Sequence, residues 1–457
     1  MADHPAFGGR LFVANRGEIA LRVIRAAHAL GMDTVLGVSV ADGESLAARE
    51  AGQTVVLGPA AARASYLDQD IVMHAALATG CTALHPGYGF LSERPELSSL
   101  CAEHGITFIG PAAESIKAVG DKLSAKRLAK SAGVPLTRGS DKIPDVEAAL
   151  KVAASIGYPV ITKASAGGGG RGMIVARSPA ELAEAFGRAA TTAREAFGDD
   201  TLYIEAYVER ARHLEVQVVG DGDGRVVHFG ERDCSIQRRY QKMIEEAPAT
   251  VLSDDIRQRL RESAVNLLSS IGYRNAGTVE FLYDEARREF SFMEVNARIQ
   301  VEHPVSEEIT GVDLIQLQLE IGTGLRPLPS QSAIRTKGHA IEARILAEDP
   351  ARDFSPTPGR ITHWSPPVGP GIRVDTGFAA GNVVPPYYDS MIAKLIVRGK
   401  TREEAVDLLV SALSRFEVVG IPTNIPLLSA IARHPDYRSN NVSTRWLETT
   451  LLPSFTA

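Results

Sequence analysis

The apolar run Leu11-Phe12-Val13-Ala14 shows no polar alternation, the pattern of a buried strand. The loop Asn15-Arg16-Gly17-Glu18 follows. Apolar positions then recur at helical period from Ile19 to Leu30, and Gly31 stops that helix. Thr34 to Val38 is the next strand, and strand, helix and strand in that order begin a parallel sheet. Ala83-Leu84 is a later strand that runs into His85-Pro86-Gly87-Tyr88-Gly89-Phe90-Leu91-Ser92-Glu93. By itself this glycine-punctuated loop reads as a structural turn between sheet and helix. Phe108-Ile109-Gly110-Pro111 closes the first domain, and a helical connector runs from Glu114 to Ala132 with a break at Gly120-Asp121-Lys122.

The central part begins with the strand Tyr158 to Lys163 and continues through Ala164-Ser165-Ala166-Gly167-Gly168-Gly169-Gly170-Arg171-Gly172 into the strand Met173 to Ala176. A hairpin turn needs one or two glycines. Four in a row let the backbone approach a ligand closely and turn its amides toward phosphate oxygens, with Lys163 and Arg171 at either end. This is not a Walker loop, because Gly-Lys-Ser/Thr is missing and a strand follows. Nor does the first turn of the chain bind a dinucleotide, since only Gly17 of Gly-x-Gly-x-x-Gly is present there. Leu202 to Val208 is a strand whose backbone can offer an adenine edge, and His213 precedes the strand Leu214 to Val218. Gly230 to Lys242 gathers four cations near one tyrosine, an expected anion site.

Two further strands, Thr278 to Leu282 and Phe290 to Met293, flank the charged turn Asp284 to Arg288. A hairpin folded about Arg287 sets Glu280 directly opposite Glu294, and strand alternation puts Asn296 and Arg298 on the same face. Like charges opposed in this way destabilise a sheet. Carboxylates with an amide oxygen suit a hard divalent cation, Mg²⁺ or Mn²⁺, completed by water and substrate phosphates. A solvated hairpin face whose acids pair with arginine is the competing reading. Thr310-Gly311-Val312-Asp313 has the form of a capping box before a helix from Leu314 to Ile321. After a linker from Pro327 to Thr336, strands and Pro/Gly turns alternate from His339 to Arg398, and helices from Thr401 to Phe416 and Asn424 to Arg433 finish the chain.

Composition narrows the classes. The chain has 457 residues, 44% hydrophobic and 23% charged, with a net charge of −6. No basic field favours nucleic acid. No apolar run reaches the ~18 residues that a membrane span requires, and no secretory signal core follows the amino terminus. Cys81, Cys101 and Cys234 are far apart, without a Cys-x-x-Cys pair, which points to a reducing, cytoplasmic setting.

The glycine lid, the paired acidic strands and the basic segment together resemble the ATP-grasp fold, in which two α/β halves clamp ATP. Three stretches, His85 to Glu93, Glu231 to Lys242 and Glu294 to Pro304, resemble biotin carboxylase in particular. The resemblance implies a parallel α/β domain over residues 1–118, an ATP-grasp domain over 119–330 with a mobile lid at about 135–208, and a mixed α/β domain over 335–450. It implies ATP contacts at Lys122, Lys163, Gly169, Gly170, Glu205, Ala206, Tyr207, Val208 and His213. It implies metal carboxylates Glu280 and Glu294 with Asn296, bicarbonate contacts at Lys242, Arg298, Gln300 and Val301, the base at Glu302, and a biotin-side arginine at Arg344. Ala166 stands for a glycine of the lid, and Ala206 and Tyr240 for a lysine and a histidine of relatives. The implied activity is ATP-dependent carboxylation of biotin from bicarbonate, serving acetyl-CoA carboxylase or else a propionyl-CoA, pyruvate or urea carboxylase. A degenerate nucleotide-binding module is the non-enzymatic alternative. No Met-Lys-Met triplet occurs. Biotin is therefore expected on a separate biotin carboxyl carrier protein, with separate carboxyltransferase subunits and a homodimeric carboxylase.

Overall fold

A computed structural model describes residues 8–140, 142–164 and 173–456. The first strand, Arg10–Val13, lies at the centre of a five-stranded sheet in the order Gln53–Gly58, Asp33–Ser39, Arg10–Val13, Ala83–His85, Thr107–Phe108. Its recorded pairings are all parallel. The strand order reverses between Arg10–Val13 and Ala83–His85. A crevice at the carboxyl ends of such strands is where α/β sheets receive ligands. Here it holds Asn15, whose side-chain amide donates to the carbonyls of Pro86 (2.7 Å) and Tyr88 (2.8 Å) and so fixes the loop that follows His85.

The connector is two helices, Ala113–Gly120 and Lys122–Ser131, divided at Asp121, whose carboxylate caps the second by accepting from Ser124 N. A small sheet follows, Ile174–Ala176, Val160–Ala164 and Leu202–Ala206, with helices Val146–Ile156 and Pro179–Phe197 packed on it.

The largest sheet has eight strands in the order Glu289–Asn296, Arg274–Asp284, Ala211–Asp221, Val226–Arg238, Gln241–Ala247, His339–Leu346, Met391–Gly399, Ile372–Thr376. It is antiparallel throughout and joins the central part of the chain to the last. One face is covered by the helix Asp254–Ser269 and, further along, by Arg402–Ser414. The opposite side carries the charged residues described below.

Three expectations need correction. Gly230 to Lys242 is a hairpin, not a patch. Val226–Arg238 and Gln241–Ala247 turn through Arg239 and Tyr240, both at positive φ (48° and 66°). Such a two-residue turn ordinarily uses Asn-Gly, so nothing in the local residue types announced it. Of its four cations, Arg232 is buried against Glu215, Arg238 stacks on Phe354, and exposed Arg239 meets Asp353; only Lys242 reaches the cavity. The cap of the helix Leu314–Gly322 is Asp313, which accepts from Gln316 N, while Thr310 ends the preceding helix His303–Thr310. That preceding helix was not expected, although Pro304 stands in its first turn.

Candidate active site

The three sheets enclose a cavity of about 1070 Å³. Two acidic strands supply one wall. Glu280 pairs with Glu294 and Thr278 with Asn296, as the sequence spacing requires, but the turn is centred half a residue before Arg287. The register recovers because Phe281 pairs with Phe292, leaving Met293 as an extra residue in a β-bulge. Glu280 is buried. Its Oε1 accepts from Lys242 Nζ (3.0 Å), Asn296 Nδ2 (2.9 Å) and Gln300 Nε2 (3.1 Å). Its Oε2 lies 2.9 Å from His213 Nε2, near enough to pair as charges but poorly aligned for a hydrogen bond. Burial works against the ionised form of Glu280, yet Lys242 and His213 outweigh it and hold the group below the usual carboxylate range.

Glu294 differs. Its carboxylate accepts no hydrogen bond among the described residues, and burial together with Glu280 raises its pKa. A half-buried carboxylate without a hydrogen bond among the described residues, beside a second, buried one, is the environment a divalent cation would relieve. The oxygen donors of Glu280, Glu294 and Asn296 therefore fit a hard ion. Asn296 Oδ1 accepts from Arg298 Nη2 (3.0 Å), linking this wall to the next group.

Lys242 is the centre of the site. Its ammonium contacts three carboxylates: Glu215 Oε2 (2.6 Å), Glu302 Oε1 (2.7 Å) and Glu280 Oε1 (3.0 Å). An ammonium has three N–H groups, and all three are engaged. A bulge again sets the geometry. Ile236 pairs with Ile244 and Gln237 with Lys242, so Met243 is the extra residue, and Met243 and Ile244 both turn into the carboxyl-terminal core. Glu302, fully buried at the start of the helix His303–Thr310, also accepts from Arg344 Nη2 (3.0 Å). Burial would raise its pKa, but Lys242, Arg344 and Arg232 overcome that and push it well below the ordinary value. Arg344 is held on its Nε by Glu245 Oε1 (2.6 Å).

Arg298 is fixed by Glu93, whose carboxylate accepts from Arg298 Nε (2.8 Å) and from the Ala297 amide (3.0 Å). Arg298 Nη1 donates to Gln300 Oε1 (2.9 Å). The Val301 carbonyl accepts from the buried Lys394 ammonium (3.0 Å), which also pairs with Glu18 (3.0 Å). The loop from His85 to Glu93, which reads as a turn by residue type, therefore orients the arginine of the site.

The opposite wall carries the residues expected at the nucleotide. Lys163 Nζ donates to Glu205 Oε2 (2.6 Å), and Lys126 holds the other oxygen, so burial notwithstanding, Glu205 falls to about 2. Lys122 opens its helix at the cavity edge, where burial lowers its pKa and Glu294 counteracts. The N–H groups of Ala206 and Tyr207 are taken by the Arg138 and Pro159 carbonyls (2.8 and 3.0 Å). That of Val208, which also lines the cavity, has no backbone partner among the described residues. His213, expected at the nucleotide, lies between Gln237 (2.9 Å) and Glu280. Gly169 and Gly170, with Ala166 and Arg171, lie outside the described residues.

The structure thus brings Lys122, Lys163, Glu205, Ala206, Tyr207, Val208, His213, Lys242, Glu280, Glu294, Asn296, Arg298, Gln300, Val301 and Arg344 to one cavity, with Glu302 directly behind it. Sequence reasoning missed Glu93, Lys126, Glu215, Glu245 and Lys394. Of these, only Glu93 stands in a stretch that the sequence pattern singles out.

Three family models match the chain: "Biotin carboxylase, N-terminal domain" over residues 8–116, "Carbamoyl-phosphate synthase L chain, ATP binding domain" over 121–330 and "Biotin carboxylase C-terminal domain" over 342–449. Biotin carboxylase 1 of Bacillus subtilis is 46% identical over 96% of this chain and 98% of its own length. One of the subunits of the pyruvate carboxylase of Methanothermobacter thermautotrophicus is 47% identical over 96% of this chain and 89% of its own. Among solved structures, the biotin carboxylase domain dimer of Hydrogenobacter thermophilus 2-oxoglutarate carboxylase, in complex with MgADP, ADP and bicarbonate, superposes with a TM-score of 0.92 at 45% identity. That match covers 98% of this chain and 99% of that one.

Proposed function

The chain belongs to the biotin carboxylase family, an ATP-grasp enzyme family, and from that premise we propose that its cavity carboxylates biotin from bicarbonate at the expense of ATP. One observation carries the residue assignments. The Lys242 ammonium ties Glu280 to Glu302, and Arg344 holds the other oxygen of Glu302, so the metal, base and biotin positions form one network.

In this reading ATP lies between Lys122, Lys163 and the 205–208 backbone, with its phosphates toward Glu280 and Glu294. Either Mg²⁺ or Mn²⁺, when bound by Glu280, Glu294 and Asn296, offsets charge on the phosphate oxygens during transfer. Bicarbonate sits between Lys242 and Arg298. Lys242 has no N–H to spare, so the incoming anion must take one now given to a carboxylate. Taking the one given to Glu302 raises the basicity of that group at the moment a base is needed. Glu302 then accepts the bicarbonate proton while the oxygen attacks the γ-phosphorus and the bond to ADP breaks, giving carboxyphosphate. Carboxyphosphate then splits at its C–O bond into CO₂ and phosphate, the leaving phosphate takes the ureido N–H proton, and Arg344 stabilises the resulting biotin enolate oxygen while the nitrogen takes up CO₂.

We further assign the carboxylase to acetyl-CoA carboxylase in the cytoplasm, as a homodimer served by a biotin carboxyl carrier protein and separate carboxyltransferase subunits. No helix among the described residues is long and apolar enough to cross a membrane. The second reading, a pyruvate-directed enzyme, is favoured by the pyruvate carboxylase relative at essentially equal identity. The deciding experiment is ATP hydrolysis by the purified chain in bicarbonate with and without free biotin. Stimulation by biotin is expected; its absence would leave only a nucleotide-binding module. Reconstitution with biotinylated carriers from each system then separates the acceptors.

A further inference from the structure

Arg344 is shared by two carboxylates, and only one of them has a place in the reaction above. Glu245 lies directly opposite Glu342 where Gln241–Ala247 pairs with His339–Leu346. Both carboxyls are fully buried. Glu245 Oε1 accepts from Arg344 Nε and lies 2.6 Å from Nη2, while Nη2 also reaches Glu302 Oε2 at 3.0 Å. The guanidinium is planar, so fixing its Nε/Nη2 edge fixes the direction of the Nη1 edge. Arg344 lines the cavity, and Nη1 has no partner among the described residues.

The remaining oxygens are unusual. Glu245 Oε2 and both oxygens of Glu342 are buried without a hydrogen bond among the described residues. Buried polar atoms in that state cost stability, and two carboxyls opposed at cross-strand distance cost more. A sheet that needed only packing here would be better served by apolar side chains. The pair is retained beside the one arginine that must hold its direction while Glu302 changes charge.

We infer that Glu245 is a positioning residue for biotin: it anchors the inner edge of Arg344 so that the outer edge keeps its aim when Glu302 takes up the bicarbonate proton and loosens its hold. A neutral Glu302 keeps little attraction for a guanidinium, and Glu245 is then the one carboxylate in contact with it among the described residues. Biotin would meet Arg344 in that state, after the proton has moved. This inference rests on the carboxylase reading, and on Arg344 as the biotin-side arginine.

The test is steady-state kinetics of the full chain with free biotin, comparing wild type, Glu245→Gln and Glu245→Ala. Glutamine keeps an oxygen for the Arg344 N–H groups but not the charge; alanine removes both. Glu245→Ala is expected to raise the KM for biotin about tenfold, the scale of one hydrogen bond to a charged group. Glu245→Gln should raise it a few-fold, with the KM for ATP and the bicarbonate-dependent rate without biotin little changed in each. A biotin KM equal to wild type in both variants overturns the inference, as does a parallel fall of every kinetic constant, which a merely structural role would produce. Should the alanine variant fail to fold, the glutamine variant decides by the same biotin KM. Wild-type enzyme that ignores biotin would instead refute the carboxylase reading itself.

Discussion

Lys242→Met removes one positive charge from among Glu215, Glu280 and Glu302 while nearly keeping the volume of the side chain. In the wild type, Glu280 and Glu302 are held below the ordinary carboxylate value of 4.5, so both stay ionised across the neutral range. Their contribution to stability is present above that value and lost only as pH falls below it. Without the ammonium, the buried cluster loses its counter-charge, and the least costly remedy is a proton. Binding one proton at about pH 8 by a carboxylate whose unfolded value is about 4.5 means climbing about 3.5 pKa units, roughly 5 kcal/mol at ~1.36 kcal/mol per unit. That matches the range of about 3–5 kcal/mol for breaking a buried pair. At about pH 5.5 the same proton costs only about 1.4 kcal/mol.

The sign therefore inverts. A group with a raised folded value contributes stability that grows as pH falls, so the gap between variant and wild type should narrow from about 5 to about 1.4 kcal/mol between these pH values. Glu245, raised toward about 7 by burial with Arg344 opposing, also loses the lowering influence of Lys242 in the variant, so it shifts further up and widens the gap in the same direction at high pH. Urea unfolding of both proteins at matched pH measures the gap. A gap that stays constant within about 0.5 kcal/mol would refute the picture of Lys242 as the neutralising centre.

Other outcomes follow from the same geometry. Glu302→Gln should lower the bicarbonate-dependent rate by ~10²–10⁴-fold with ATP binding nearly unchanged, and a variant keeping more than about a third of the rate would remove Glu302 as the base. Glu280→Gln should shift the Mg²⁺ titration of activity to higher concentration, because one of two carboxylates is lost; an unaltered titration would return the acidic hairpin to a structural role. Glu205→Gln should destabilise the neutral protein by about 3 kcal/mol, from the drop from 4.5 to about 2 that Lys163 and Lys126 impose against burial. That contribution is present above about 4.5 and fades as pH falls toward 2, so a variant equally destabilised at about pH 3 and about pH 7 would contradict it.

Short-range signals carried much of this fold. The run Leu11 to Val13, the helix after it and the break at Asp121 follow from period and capping alone. The opposition of Glu280 and Glu294 followed from counting along two strands. What escaped was long-range. Glu93 and Arg298 are 205 positions apart, and Lys394 and Val301 are 93 apart, with no residue type that announces the pairing. The helix His303–Thr310 escaped because, buried nearly all round, it shows no polar stripe. The basic segment was misread for a different reason. Its cations sit on a hairpin whose residues turn to different sides, so Arg232 and Lys242 meet on Glu215 while Arg238 and Arg239 go to Phe354 and Asp353.

The two bulges show how far position-counting can be trusted. In each acidic or basic hairpin a single methionine, Met243 or Met293, is inserted opposite nothing on the neighbouring strand. Since side chains alternate with a period of two, one inserted residue reverses the face of everything beyond it. Were Met243 paired as an ordinary strand residue, Lys242 would share the side of Ile244, in the apolar core and away from Glu215, Glu280 and Glu302. Were Met293 paired in the same way, it would stand opposite Glu280 in place of Glu294. The sequence contains both methionines, but a strand read by alternation has no place for an unpaired position. In the acidic hairpin the half-residue shift of the turn cancelled the error. In the basic one nothing cancelled it, and Lys242 had to be identified by resemblance where periodicity would have placed it in the core.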